Sequence, residues 1–141
     1  KQYQAVYYKG KIMKSDDFFQ YNFPPIERVH YPSVSIYENG DFTTVVTTSD
    51  LGFSVPDHLA PEHILTPDVS DAALGQAVLS ALSFSRLIPS GDPAYTNEAH
   101  YARYQVWVKN LMERFGYKTK NALFKNMDRC SAKIENGTLT I

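Results

Sequence analysis

Residues 34–46 constrain this fold more than any other stretch. Val34 and Ile36 precede Glu38-Asn39-Gly40-Asp41, and Phe42, Thr44 and Val46 follow it, so apolar and β-branched side chains recur at every second position on both sides of an Asn-Gly pair. That period matches a pleated strand, and Asn-Gly supplies the positive φ angles of a tight hairpin turn. The pattern predicts a β-hairpin. Glu135-Asn136-Gly137 repeats the signal between Cys130, Ala132, Ile134 and Leu139, Ile141, with Ala122 to Phe124 as an earlier part of the same alternating run. The chain is expected to close on a second hairpin.

Between the hairpins the period changes. Asp68 or Ser70 can cap a helix over about 69–86, with Leu74, Val78, Ala81, Leu82 and Ser85 at helical spacing. Ala73, Ala77 and Ala81 form a narrow stripe that would let this helix approach a sheet closely. Pro89-Ser90-Gly91-Asp92-Pro93 then breaks the chain. Thr96 caps a second helix whose apolar face carries Tyr104, Trp107, Val108, Leu111, Met112 and Phe115, and Gly116 stands where a left-handed C-terminal cap belongs.

Upstream, Tyr3 to Lys9 is aromatic and β-prone, Lys9-Gly10-Lys11 punctuates it, and a second extended piece is expected near Ile12. Asp16 to Phe23 fits a strand or one helical turn. Pro24-Pro25 excludes a regular helix and Tyr31-Pro32 favours extended geometry, so residues 24–33 read as a loop entering a strand. Residues 49–68, with Pro56, Pro61 and Pro67, read as an irregular excursion anchored by Leu51, Phe53, Leu59 and Leu65. Strands, two helices and strands again predict a single α+β (mixed α/β) domain over residues 1–141, with a curved, mostly antiparallel sheet and the two main helices packed on one face.

At 141 residues, 43% hydrophobic and 21% charged, the chain has the composition of one globular domain. Its single cysteine, Cys130, excludes an internal disulfide and a thiolate zinc site; within an alternating run it reads as a small buried residue. No run approaches about 18 apolar residues, and the start lacks a signal-peptide core. A cytoplasmic protein without membrane contact is expected.

Charge is segregated along the chain. Residues 38–98 carry nine acids and one base, Arg86, while residues 1–37 hold a net +2 and residues 99–141 a net +5, within an overall −1. The acids are Glu38, Asp41, Asp50, Asp57, Glu62, Asp68, Asp71, Asp92 and Glu98. Such a cluster attracts a cationic partner and repels phosphate, which argues against direct nucleic-acid binding here. The plainer alternative is that folding sets the C-terminal bases beside these acids as surface pairs, each contributing about 0–1 kcal/mol.

Catalytic signatures are missing from the sequence, which has no Gly-x-Ser-x-Gly elbow, no characteristic cysteine neighbourhood and no phosphate-binding glycine loop. No cofactor is expected. The nearest candidate is Asp57-His58-Leu59-Ala60-Pro61-Glu62-His63, where two imidazoles and two carboxylates would suit a small metal-dependent hydrolase. Yet His58 and His63 are five apart with Pro61 between them and cannot share a helical face. Glu98 and His100 read as an exposed first-turn pair. Lys118, Lys120, Lys125, Arg129 and Lys133, with Tyr117 and Phe124, read as a solvated basic face rather than a nucleic-acid surface.

The segment His30-Tyr-Pro-Ser-Val-Ser-Ile-Tyr-Glu-Asn-Gly-Asp-Phe42, followed by Val69-Ser-Asp-Ala-Ala-Leu-Gly-Gln-Ala-Val-Leu-Ser-Ala-Leu-Ser-Phe-Ser-Arg86, resembles a family of bacterial contact-dependent growth-inhibition immunity proteins, the small cytoplasmic antitoxins of CdiA/CdiI systems. The resemblance spans most of the chain, and its clearest parts define the fold rather than a site. It implies a protein without chemistry of its own that binds the C-terminal toxin domain of a cognate CdiA effector, often a nuclease acting on transfer RNA, and blocks it; occlusion of the toxin active site is the expected mode, with binding at an exosite as the alternative. A generic protein-binding adaptor is the other non-enzymatic reading. Joined to the charge segregation, the resemblance makes Glu38, Asp41, Asp50, Asp57, Glu62, Asp68 and Asp71 candidates for contact with the Lys and Arg of a cationic toxin. Tyr37 and Phe53 are the candidate apolar anchors.

Overall fold

The computed structural model describes residues 6–8, 11–13 and 28–141. Strands β1 (Val6–Tyr8) and β2 (Lys11–Met13) pair antiparallel as a two-stranded sheet of their own, matching the two extended pieces expected there. The ambiguous Asp16 to Phe23 and the Pro24-Pro25 loop lie outside the described residues.

Among the described residues, six strands make the main sheet. The expected hairpin is β3 (Ser33–Glu38) and β4 (Thr43–Asp50), in register from Ser33 opposite Thr48 to Glu38 opposite Thr43. Its reversal is a four-residue loop rather than a two-residue turn. The Asn39 N–H donates to the Phe42 carbonyl at 3.3 Å, and of the Asn-Gly pair only Gly40 has a positive φ. β3 also pairs antiparallel with β7 (Asp128–Glu135), which turns into β8 (Thr138–Thr140). At that turn Asn136 and Gly137 both have positive φ, 51° and 75°, the signature of a type I′ hairpin. The outer edge of β4 is shared by β5 (Ser54–Pro56) and β6 (His63–Leu65), so the excursion after residue 49 contains two short strands.

Helix α1 (Asp71–Ser83) starts at Ser70, whose hydroxyl accepts from the Ala73 N–H at 3.2 Å. Its buried residues Ala77, Val78, Ala81 and Leu82 cluster with Val34, Val45 and Ala132 of the sheet. The small Ala81 lets the Thr47 hydroxyl donate to the Ala81 carbonyl at 2.8 Å, a buried bond that ties helix to sheet. Helix α2 (Asn97–Phe115) is capped by Thr96 and ends at Gly116, as its sequence signals predict.

The expectation that both helices cover one face is corrected. Val34 and Ile36 pack with α1, whereas Tyr37, on the opposite face of β3, lies 5.4 Å from Trp107 of α2 between ring centroids. Ala77 and Ala81 of the alanine stripe fit α1 close against one face, whereas Ala73 is exposed. The broad aromatic face of α2 takes the other side, where Val108 and Leu111 join Phe42 and Leu123 in a second core cluster. Three further readings change with the packing. Ala122 to Phe124 belongs to a short helix, α3 (Lys120–Phe124), because Leu123 and Phe124 turn inward against α2. Cys130 is exposed, since α1 meets β7 at Ala132 and Ile134 instead. Leu51 and Leu65 do pack inward, but Phe53 and Leu59 are 66% and 69% exposed.

Gly116 carries a testable share of this architecture. Its φ of 74° is left-handed, and nothing lies within 4 Å of where a Cβ would stand. Gly116→Ala should therefore destabilise the protein by about 1 kcal/mol through backbone strain alone. Denaturant melts should show Gly116→Asn recovering much of that loss, because Asn tolerates the left-handed region.

Candidate functional site

β5 and β6 leave the middle of β4 to the loop between them. There the Asp57 N–H donates to the Thr47 carbonyl at 2.9 Å, and the Asp57 carboxylate turns the chain outward by accepting from the Leu59 N–H at 3.1 Å. The same carboxylate accepts from Ser49 Oγ at 2.8 Å and Tyr95 Oη at 2.8 Å. Arg86 forks onto it through Nε at 2.7 Å and Nη2 at 3.3 Å. Arg86, the lone base of the acidic block, is thus committed to an internal carboxylate whose side chain is 1% exposed. Contrary to expectation, Asp57 faces inward, because the donors gathered from Ser49, Leu59, Arg86 and Tyr95 need a buried acceptor.

Burial pushes the Asp57 carboxyl up, but the bonds from Arg86, Tyr95, the Leu59 amide and Ser49 together hold it at about 2, below its ordinary 3.8. Burial and then the bond to Asp57 push the Tyr95 phenol up to about 12. The folded state therefore favours the Asp57 anion. Its contribution is present above about pH 4 and is lost as pH falls through about 2. At about 1.4 kcal/mol per pH unit of displacement, the loss is about 2 kcal/mol. Urea melts between those pH values should show this component in the wild type and not in Asp57→Asn. Tyr95 acts at the other extreme, with stability present below pH 10 and lost as pH rises towards about 12.

The other acids divide between the two ends of the sheet. Glu38 is exposed and accepts from the Gly40 N–H at 2.8 Å, while exposed Asp41 accepts from the Tyr117 hydroxyl. Because Glu38 lies opposite Thr43 and Thr43 opposite Leu65, exposed Asp68 and Asp71 follow β6 at that same end. The Thr66 hydroxyl holds the Asp68 carboxyl below its ordinary value. Asp50 ends β4, roughly 24 Å along the strand from Thr43, and Phe53 follows just beyond it. Asp50 accepts from the Gly52 N–H at 2.6 Å and lies 3.9 Å from Arg28. Glu62 sits between the ends, its Oε1 accepting from Thr44 Oγ1 at 2.5 Å and Trp107 Nε1 at 2.7 Å.

Among the described residues, ion pairs join Arg28 to Asp50, Arg86 to Asp57, Lys109 to Glu113 and Lys133 to Glu135. None of them sets a base from residues 99–141 against an acid from residues 38–98. The surface-pairing alternative is therefore not what the described part of the fold builds, and the acids at the β3–β4 turn keep their field.

Tyr37 belongs to a different feature. A cleft of about 600 Å³ lies between its face of the sheet, α2 and the loop over residues 56–62. The Trp107 ring stands 5.4, 6.2 and 6.4 Å from those of Tyr37, Tyr104 and Phe124, and the Arg129 guanidinium stands 5.6 Å from the Tyr37 ring. Sequence patterns assign Trp107 to a core and Arg129 to a solvated face. Only the fold brings both to one cleft. His58 is exposed at its edge and His63 lies in β6; among the described residues no three His, Cys, Asp or Glu side chains gather to hold a metal. Nor is any described helix long and apolar enough to cross a membrane.

The model of the CdiI family, described as CDI immunity protein, matches residues 32–141, which take in every element from β3 to β8. Immunity protein CdiI-YPIII of Yersinia pseudotuberculosis serotype O:3 (strain YPIII) is 38% identical over 76% of this chain and 68% of its own. Among solved structures, the protein of unknown function NMB0488 from Neisseria meningitidis superposes with a TM-score of 0.72 at 34% identity, covering 82% of this chain and 73% of that one. A chain of the CdiA-CT/CdiI toxin and immunity complex from Yersinia pseudotuberculosis gives a TM-score of 0.70 at 35% identity, covering 79% of this chain and 72% of that one.

Proposed function

We propose, since this chain belongs to the CdiI family of CDI immunity proteins, that it binds the C-terminal toxin domain of a cognate CdiA effector and neutralises it by occupying the toxin active site. The observation that carries this reading is the likeness, over 79% of the chain, to a chain from a toxin and immunity complex. The protein acts by binding and not by catalysis, in the cytoplasm, where the toxin meets its substrate.

The toxin is read as a cationic nuclease acting on transfer RNA. A surface that receives phosphates carries Lys and Arg, and Glu38, Asp41, Asp68 and Asp71, exposed at one end of a rigid sheet, are suited to take the place of those phosphates. Asp50 and Phe53 extend the contact for a partner wide enough to span β4. Asp57 supports the interface from within by holding its loop.

Co-purification of the full chain with the C-terminal domain of the neighbouring CdiA effector, followed by an RNA cleavage assay, tests the reading. A stable complex is expected, with cleavage of transfer RNA abolished at one equivalent. A bound toxin that still cleaves RNA contradicts active-site occupation, and a toxin with no nuclease activity contradicts the assigned class.

A further inference from the structure

We propose that the cleft beside α2 is a docking site for an acidic loop of the toxin domain, an inference that rests on the reading of this chain as an immunity protein. Two arginines and two carboxylates line the cleft, and the arginines are the charges that no opposite charge among the described residues neutralises. Arg103 and Arg129 line it, His58 and His100 stand at its edge, and Lys120 Nζ lies 4.6 Å from the Tyr104 ring centroid. Among the described residues, Arg103, Arg129 and Lys120 have no carboxylate within 4.0 Å. The two carboxylates on its wall are already engaged, Asp57 by Arg86 and Glu62 by Thr44 and Trp107.

Both guanidiniums keep donors free. Arg129 uses Nη2 on Ser35 Oγ at 3.1 Å and Arg103 uses Nη2 on the Ala94 carbonyl at 2.5 Å, which leaves the other N–H groups of each fork for an incoming carboxylate. Each is also held in place by an aromatic ring, Arg129 against Tyr37 at 5.6 Å and Arg103 against Tyr95 at 5.4 Å, so less side-chain freedom is lost on binding. Tyr37, Tyr104 and Trp107 offer apolar surface for the residue beside that carboxylate. Glu62 on the wall would repel a polyanion such as RNA, which favours a protein loop with an isolated negative charge. Acids at the turn and cations in the cleft would together fix the orientation of the complex.

Trp107 is the only tryptophan in the chain and lines the cleft, so 5-fluorotryptophan incorporated into the full chain gives one fluorine resonance that reads occupancy. Titration with the cognate CdiA C-terminal domain should shift that resonance. Arg129→Glu should weaken binding about tenfold or more. Lys109→Glu makes the same charge change at an exposed residue paired with Glu113 outside the cleft, and should leave affinity within about twofold. A complex that leaves the Trp107 resonance unmoved, or that forms at wild-type affinity with Arg129→Glu, overturns the cleft contact and leaves the immunity reading standing. A wild-type chain that does not bind the toxin overturns both. The wild-type resonance decides the matter even where Arg129→Glu fails to fold.

Discussion

Asp57→Ala should destabilise the protein by about 3 kcal/mol, because truncating one partner of a buried ion pair leaves the other's charge and hydrogen bonds uncompensated. The Arg86 guanidinium, the Tyr95 and Ser49 hydroxyls and the Leu59 amide all lose their acceptor at once. Arg86 is 38% exposed and can turn part of its fork to water, which places the loss at the low end of the range for buried pairs. Asp57→Asn keeps the shape and one oxygen acceptor and should lose roughly half as much. Urea melts at neutral pH measure both variants. A loss below about 1 kcal/mol for Asp57→Ala would mean that backbone bonds alone hold the 57–62 loop.

Reversing Glu38, Asp41, Asp68 and Asp71 together to Lys should slow association with the toxin domain about 10- to 100-fold at low salt. The dissociation rate should change less, since exposed charges steer encounter more than they hold the docked pair. The gap between variant and wild type should narrow with added salt, as the screening length falls from about 10 Å at 0.1 M to about 3 Å at 1 M. The Asp71→Lys change sets a cation in the first turn of α1, where it opposes the helix dipole by about 0.3–1 kcal/mol, so a variant with Asn or Gln at the four sites separates folding from steering. Association rates that do not move in stopped-flow mixing would remove the electrostatic part of the proposed interface.

Local signals were legible in the sequence wherever one residue satisfies its neighbours. Ser70 and Thr96 cap their helices, Gly116 ends the second, and the period-2 runs become β3, β4 and β7. Readings failed where the deciding partner is distant. Tyr37 and Trp107 are far apart in the chain, and long-range contacts such as theirs place α2 across the sheet from α1. The first Asn-Gly pair looks like the second, yet Asn39 donates its side-chain amide to Tyr117 Oη at 3.0 Å and to the Leu123 carbonyl at 3.3 Å, and the reversal widens to four residues.

The candidate acids were legible as a group, but their division between two ends of the sheet follows from strand register. The inward turn of Asp57 depends on Arg86 and Tyr95, 29 and 38 residues further along. One clue was present in composition: a single arginine among nine acids is a natural partner for whichever of them is buried.

Amide hydrogen exchange of the full chain, with and without one equivalent of the cognate CdiA C-terminal domain, tests most directly whether the anionic end of the sheet receives the toxin. New protection is expected over residues 38–43 and 66–72, with exchange at Thr138–Thr140 unchanged. Protection confined to Gly52 or to Thr138–Thr140, with none at the β3–β4 turn, would contradict that placement.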